Sequence, residues 1–258
     1  MKKNRIALQL ACCGLILGAQ AMMGASISTT GLSDWCVNLN GDTNTACNGG
    51  TGGTGGLGLG GPSGNGSIDL SAFDTTLRPG TNSLGTVTVT LGAGSNQNVD
   101  FWADYDLDAA TYGAFQDSGA VSGALPTGVS YELDDPNTSN IFGDFAANTL
   151  GNFNNVGTYA GPPSECCDVS FALGFSGINV AAGGSGTVTF DVSTVAPSSG
   201  FYITQTNGPV GDSIYLQGSV NVVAPSTPEP STFGLGLLAA AGLMAFARHR
   251  RRASLIAR

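Results

Sequence analysis

Short runs in which every second residue is apolar, each fenced by Gly, Pro or Asn, constrain this chain more than any other feature. Thr86-Val-Thr-Val-Thr-Leu91 alternates apolar residues with threonine, and Val169-Ser-Phe-Ala-Leu-Gly-Phe175 puts Val169, Phe171, Leu173 and Phe175 on one side. Thr187-Val-Thr-Phe-Asp-Val192, Ile214-Tyr-Leu-Gln217 and Val220-Asn-Val222 obey the same rule. A period of two is the signature of a half-buried strand, and many short strands with frequent turns predict an all-β fold, an antiparallel β-sandwich, over residues 67–224. One short helix is expected as well, because Ile141, Phe142, Phe145, Ala146, Thr149 and Leu150 recur at helical spacing behind a cap at Thr138 or Ser139. A weak echo, Gly85-Thr-Val-Thr-Val before Phe101-Trp102 and Gly186-Thr-Val-Thr-Phe before Phe201-Tyr202, reads as two equivalent edges of one sandwich.

Charge is segregated. Eight of the nine bases lie in the first five or last eleven positions, so the stretch from Met22 to Ala247 has Arg78 against eighteen acids. Such a body cannot neutralise phosphates, which excludes nucleic acid as a partner. The only His is His249 and the body has no Lys, which excludes a nucleophilic triad or any mechanism needing either residue there.

The two ends read as addresses. Residues 1–21 combine Lys2, Lys3 and Arg5, an apolar stretch from Ile6 to Gly18 and an A-x-A site at Ala19 and Ala21. That is a Sec-type signal peptide, which implies the Sec translocase and signal peptidase as partners and predicts a signal helix ahead of the sandwich. At the other end Phe233–Ala247 is apolar all round and about 22 Å long as a helix. Arg248, Arg250, Arg251 and Arg252 follow as a membrane stop, orienting the tail inside and the body outside. Ser231, Thr232 and snorkelling arginines extend this predicted transmembrane helix.

Export changes the cysteine arithmetic. Cys36, Cys47, Cys166 and Cys167 remain after the signal, enough for two disulfides in an oxidising compartment. Cys36 and Cys47 flank Asn40-Gly41, a turn that brings them together, while a bond between the adjacent Cys166 and Cys167 is strained and keeps a crossed pattern open. Residues 49–61 hold nine Gly in thirteen, so residues 22–66 read as a disulfide-tied, flexible arm and linker.

Pro228-Glu229-Pro230, the short Gly/Leu/Ala helix and the arginine cluster, over residues 227–252, resemble the PEP-CTERM sorting signal of exosortase-processed proteins, also catalogued as the ice-binding protein C-terminal domain. The resemblance implies export, recognition near Pro228-Glu229-Pro230 by an exosortase-like membrane protease, and an envelope-anchored or matrix-released product. Cys167–Phe175, Ala181–Phe190 and Ala196–Tyr202 are similar to a β-rich ectodomain common among such proteins.

Chemistry-bearing candidates are few. Asp100, Asp104, Asp106 and Asp108 alternate along one strand face with Trp102, opposite Phe101, Ala103, Tyr105 and Leu107. Four carboxylates without a basic partner suit calcium, although the strand lacks Gly at 109 and a carboxylate at 115, and a solvated strand face is the simpler expectation. Asn38-Leu-Asn40-Gly41-Asp42-Thr-Asn44 has the start of a calcium loop without its glycine, and reads as a turn. The expectation is a non-enzymatic structural or adhesive protein of the extracellular matrix or biofilm. The alternative is a carbohydrate-binding module for extracellular polysaccharide, assisted by calcium, with Trp102, Tyr105 or Tyr131 stacking on sugar. A third reading is a glycoside hydrolase using carboxylates among Glu132, Asp134 and Asp135. Outward threonines in the Thr-x-Thr runs are ordinary strand residues, and contact with ice needs a wide flat array of them.

Overall fold

The structure is a computed structural model that describes residues 30–40, 46–48, 66–74, 84–107, 116–137, 139–156, 168–208, 211–225 and 236–244. Twelve strands are described: β1 (Thr30–Leu39), β2 (Ala46–Asn48), β3 (Gly66–Phe73), β4 (Gly85–Leu91), β5 (Gly94–Leu107), β6 (Asp117–Ser122), β7 (Val129–Asp134), β8 (Phe153–Asn154), β9 (Ser170–Val180), β10 (Ser185–Ser193), β11 (Tyr202–Asn207) and β12 (Ser213–Val223). One helix, α1 (Ile141–Ala147), lies between β7 and β8. The strands form two six-stranded sheets, ordered β2-β1-β5-β9-β7-β8 and β3-β4-β10-β12-β11-β6. All pairs are antiparallel except the short β7–β8 pair.

The two sheets face each other across one apolar core. Phe101, Tyr105, Phe171 and Leu173 of the first sheet meet Val89, Val188, Phe190 and Leu216 of the second. Phe101 and Phe190 touch across the gap with ring centroids 5.5 Å apart. The predicted alternations in β4, β9 and β10 therefore point as expected, and the two apolar runs at 214–217 and 220–222 belong to the single strand β12.

Four expectations are corrected. Residues 22–66 are not an arm throughout, because β1 runs antiparallel to β5 from Thr30↔Leu107 to Leu39↔Val99 and buries Leu32, Trp35 and Val37 in the core. The Gly-rich stretch up to residue 65 lies outside the described residues. The echoed segments β4 and β10 are not equivalent edges. They are hydrogen-bonded neighbours, with Val89 opposite Val188, and their aromatic followers sit in different sheets.

The acidic strand is not a solvated face, because Asp100 is 3% exposed, Trp102 5% and Asp106 2%. Trp102 lies under α1, where it meets Phe142 and Phe145, and beside the Cys36–Cys47 disulfide. Last, the helix starts later than its expected cap. Asn140 is the N-cap, and the Ser139 hydroxyl accepts from the Ile141 N–H at 3.3 Å. Seven residues make too short a helix to be stable alone, so α1 depends on burying Ile141 and Phe145 against Trp102 and Ala172.

Residues 236–244 are helical and exposed, with Leu237 and Leu238 at 70% and 74%. Among the described residues no helix is long and apolar enough to cross a membrane. The signal segment, Cys166, Cys167, Asp108, Pro228–Pro230 and the terminal arginines lie outside the described residues.

Candidate functional site

The register of the first sheet sets its outward rows. Asn38, Asp100, Gly174 and Ser130 form one, Cys36, Trp102, Ala172 and Glu132 the next, and Asp34, Asp104, Ser170 and Asp134 the third. Burial pushes the Asp100 carboxyl up to about 7. Glu132 is also pushed up to about 7, first by burial and then by the charges of Asp144 and Asp134, against a lowering backbone hydrogen bond from Gly151. The Gly151 N–H donates to Glu132 Oε2 at 3.2 Å.

These carboxyls do not make the expected sites. Glu132 is closed from solvent, which removes it from any sugar. Asp134 Oδ2 accepts from Asn155 Nδ2 at 3.0 Å, and Asp135 accepts from the Asn137 backbone at 2.8 Å in an ordinary turn. Among the described residues no three His, Cys, Asp or Glu side chains are grouped to hold a metal, and Asp108 of the expected calcium set lies outside them. Asn38 points outward under α1, which covers that face, and donates to the Phe145 carbonyl at 2.8 Å, as a structural clamp.

The stacking candidates fare no better. Trp102 is covered by α1, and Tyr105 is fully buried, stacked on Phe171 in the core. Tyr131 is half-buried against Phe201, with centroids 5.2 Å apart.

A cavity of about 630 Å³ lies between the two sheets at one end, with Leu173, Phe175, Ile178, Phe201, Val220 and Val222 in its wall. Its origin is a mismatch of strand lengths. β7 begins only at Val129, opposite Phe175, while β9 continues to Val180 and β12 to Val223. The inner-face valines of β12 are therefore left open, Val220 at 38% and Val222 at 43%. Gly218 lets the Phe175 ring lie against β12, since a Cβ there would stand 2.6 Å from the ring. Asn179, Gln217 and Ser219 add polar groups to the wall. The volume and the mix of apolar wall with few polar groups are those of a small-molecule site. Sequence reasoning missed it because Val220 and Val222 alternate like any core strand.

The sorting segment follows directly. β12 ends at Val223, and residues 226–252 match the family model described as the PEP-CTERM protein-sorting motif. The chain carries a PEP-CTERM sorting motif. No curated protein and no solved structure matches the chain. The PEP-CTERM motif bears out the resemblance of the C-terminal segment and implies export and processing by an exosortase, a membrane protease. The cleft is walled by Val220 and Val222 near the end of β12, the last strand before the matched residues in sequence.

Proposed function

We propose that this protein is exported, anchored by its C-terminal helix, cut near Pro228-Glu229-Pro230 by an exosortase-like protease, and serves as a non-enzymatic structural or adhesive component of the extracellular matrix. The observation that carries this reading is the PEP-CTERM motif beginning three residues after the last strand of the sandwich. The exposed leucines of residues 236–244 support anchoring, since such an apolar helix gains most by leaving water for a bilayer. The test is expression of the full chain with and without an exosortase, followed by mass spectrometry of the new C-terminus. Glu229→Ala should leave the uncut form in the membrane fraction. A product cut normally in the absence of an exosortase would overturn the reading.

Carbohydrate binding is the second reading. It needs a surface other than the one around Trp102 and Tyr105, which are buried. Hydrolysis by Glu132 gains no support, because its carboxyl is sealed beneath the segment 144–151.

A further inference from the structure

The outward face of the second sheet carries an array that the sorting motif does not use and that meets the cleft only at Gln217 and Ser219. Thr90 pairs with Thr187 and Thr88 with Thr189 across β4 and β10, and Asn221 and Ser219 continue those rows on β12. Further along the same face, Asp191 lies opposite Gln217, Gln217 opposite Tyr202, and Tyr215 opposite Thr204. All these side chains are half-buried or exposed. Polar groups thus repeat about 4.8 Å apart across the sheet and roughly 6.7 Å apart along each strand. In the middle stand Tyr202 and Tyr215, their ring centroids 5.9 Å apart and their planes at 70°. The rings cannot form one plate, so each offers its own contact at neighbouring positions. Gln217 Nε2 donates to the Ser199 carbonyl at 2.8 Å, which fixes the amide beside Tyr202.

We propose that this face binds a neutral polysaccharide chain, with Tyr202 and Tyr215 packing on sugar rings and the threonine rows hydrogen-bonding their hydroxyls. The proposal rests on the carbohydrate-binding reading and moves it to a surface that reading did not name. Charge decides the class of partner. Among the described residues the face holds no base, and Asp69 and Asp191 make it weakly negative. An anionic polysaccharide or a phosphate-bearing polymer is repelled, whereas a neutral polyhydroxylated chain meets donors and acceptors of its own kind. A second copy of this chain fits poorly, because the face lacks the apolar centre that stable protein interfaces have. Tyrosine suits a sugar, offering an apolar ring face with a polar tip.

The test is affinity electrophoresis of the full chain in detergent, through gels containing hydroxyethylcellulose, neutral mannan or alginate, each with and without a chelator. At least one neutral polymer should retard the protein equally with and without chelator, and alginate should not. Tyr202→Leu with Tyr215→Leu, which keeps the buried sides packed, should weaken retardation by about tenfold. Tyr202→Phe with Tyr215→Phe should keep most of it, and melting curves check that each variant is folded. Retardation of the wild type that survives the leucine pair overturns this surface while leaving carbohydrate binding in place. No retardation by any polymer overturns both. Retardation by alginate alone, or concentration-dependent dimers blocked by the leucine pair, overturns the neutral partner.

Discussion

The Asn38 side-chain amide donates to the Phe145 carbonyl at 2.8 Å, so the first strand of the fold holds the C-terminal end of a helix 107 positions later. The same amide reaches the Ala146 carbonyl at 3.1 Å and Asn148 Oδ1 at 3.3 Å. These acceptors cluster where a helix leaves its last carbonyls without internal partners. Asn38 is fully buried, so no water replaces it. Asn38→Leu should cost about 1–3 kcal/mol in urea unfolding and raise hydrogen exchange in α1 before the rest of the sheet. Asn38→Asp should cost more, because it sets a carboxylate opposite Asp100.

That contact also marks the limit of what could be read in the sequence. The alternating runs of β4, β9, β10 and β12 were legible because every second residue of each faces the apolar core. β1 was not, since both of its faces are covered and Asp34, Asn38 and Cys36 interrupt the pattern on the outer one. For β5 the inward set Phe101, Ala103, Tyr105 and Leu107 was plain. The cover over Trp102 was not, because it comes from residues 141–150 and from Cys47. Long-range cover leaves no local periodicity. The cleft is hidden for a related reason, as it arises from β12 outrunning β7 and not from any residue type.

Cys36 and Cys47 lie opposite each other on β1 and β2 and are bonded. The bond closes a loop of sequence separation 11 and packs beside Trp102. Closing a loop of that size restricts the unfolded chain by about 2–4 kcal/mol. The double variant Cys36→Ala with Cys47→Ala should lower the unfolding free energy in urea by that amount while leaving any contribution of Cys166 and Cys167 intact. Peptide mapping without reduction should recover the 36–47 pair from the wild type.

Asp100 and Glu132 give stability a pH dependence of fixed sign. Their carboxyls stand at about 7 when folded, against about 3.9 and 4.3 in the unfolded chain. Between those values the native state holds protons that the unfolded state has released, so stability is full near pH 4 and falls as pH rises through about 7. Facing Asp100 are Asn38, Ser130 and Gly174, with no base among them, and facing Glu132 are Asp144 and Asp134. Urea midpoints should therefore be higher at pH 5 than at pH 8. Asp100→Asn and Glu132→Gln, which fix the neutral form, should each flatten the curve and raise the midpoint at pH 8. A midpoint that does not fall between pH 5 and 8 would overturn the raised carboxyls, because groups ionised in both states add no pH dependence there.

Asp117 of β6 and Gln205 of β11, bonded to each other within one sheet, together hold the end of β5 in the other. Gln205 Nε2 donates to Asp117 Oδ2 at 2.7 Å and to the Tyr105 carbonyl at 2.6 Å. Asn207 Nδ2 donates to the Leu107 carbonyl at 2.7 Å, and the Leu107 N–H donates back to Asp117 Oδ2 at 3.2 Å. The end of β5 in one sheet is thus bonded to β6 and β11 in the other, across a region where the core would otherwise be apolar. Hydrogen bonds in such a place add little over their solvated counterparts, but each orphaned group costs its full desolvation, about 1–3 kcal/mol. Asp117→Leu removes the acceptor of one Gln205 amide hydrogen and of the Leu107 N–H, and Gln205→Leu removes the closest donor to the buried Asp117 carboxylate, which keeps the Leu107 N–H. Each single change should therefore be more damaging than its lost bond suggests, and the pair together should lose less than the two separately. A double-mutant cycle in urea should give a coupling of about 1–3 kcal/mol. Additive losses would mean that the two side chains fold independently, and that the registration of the sheets here rests on packing alone.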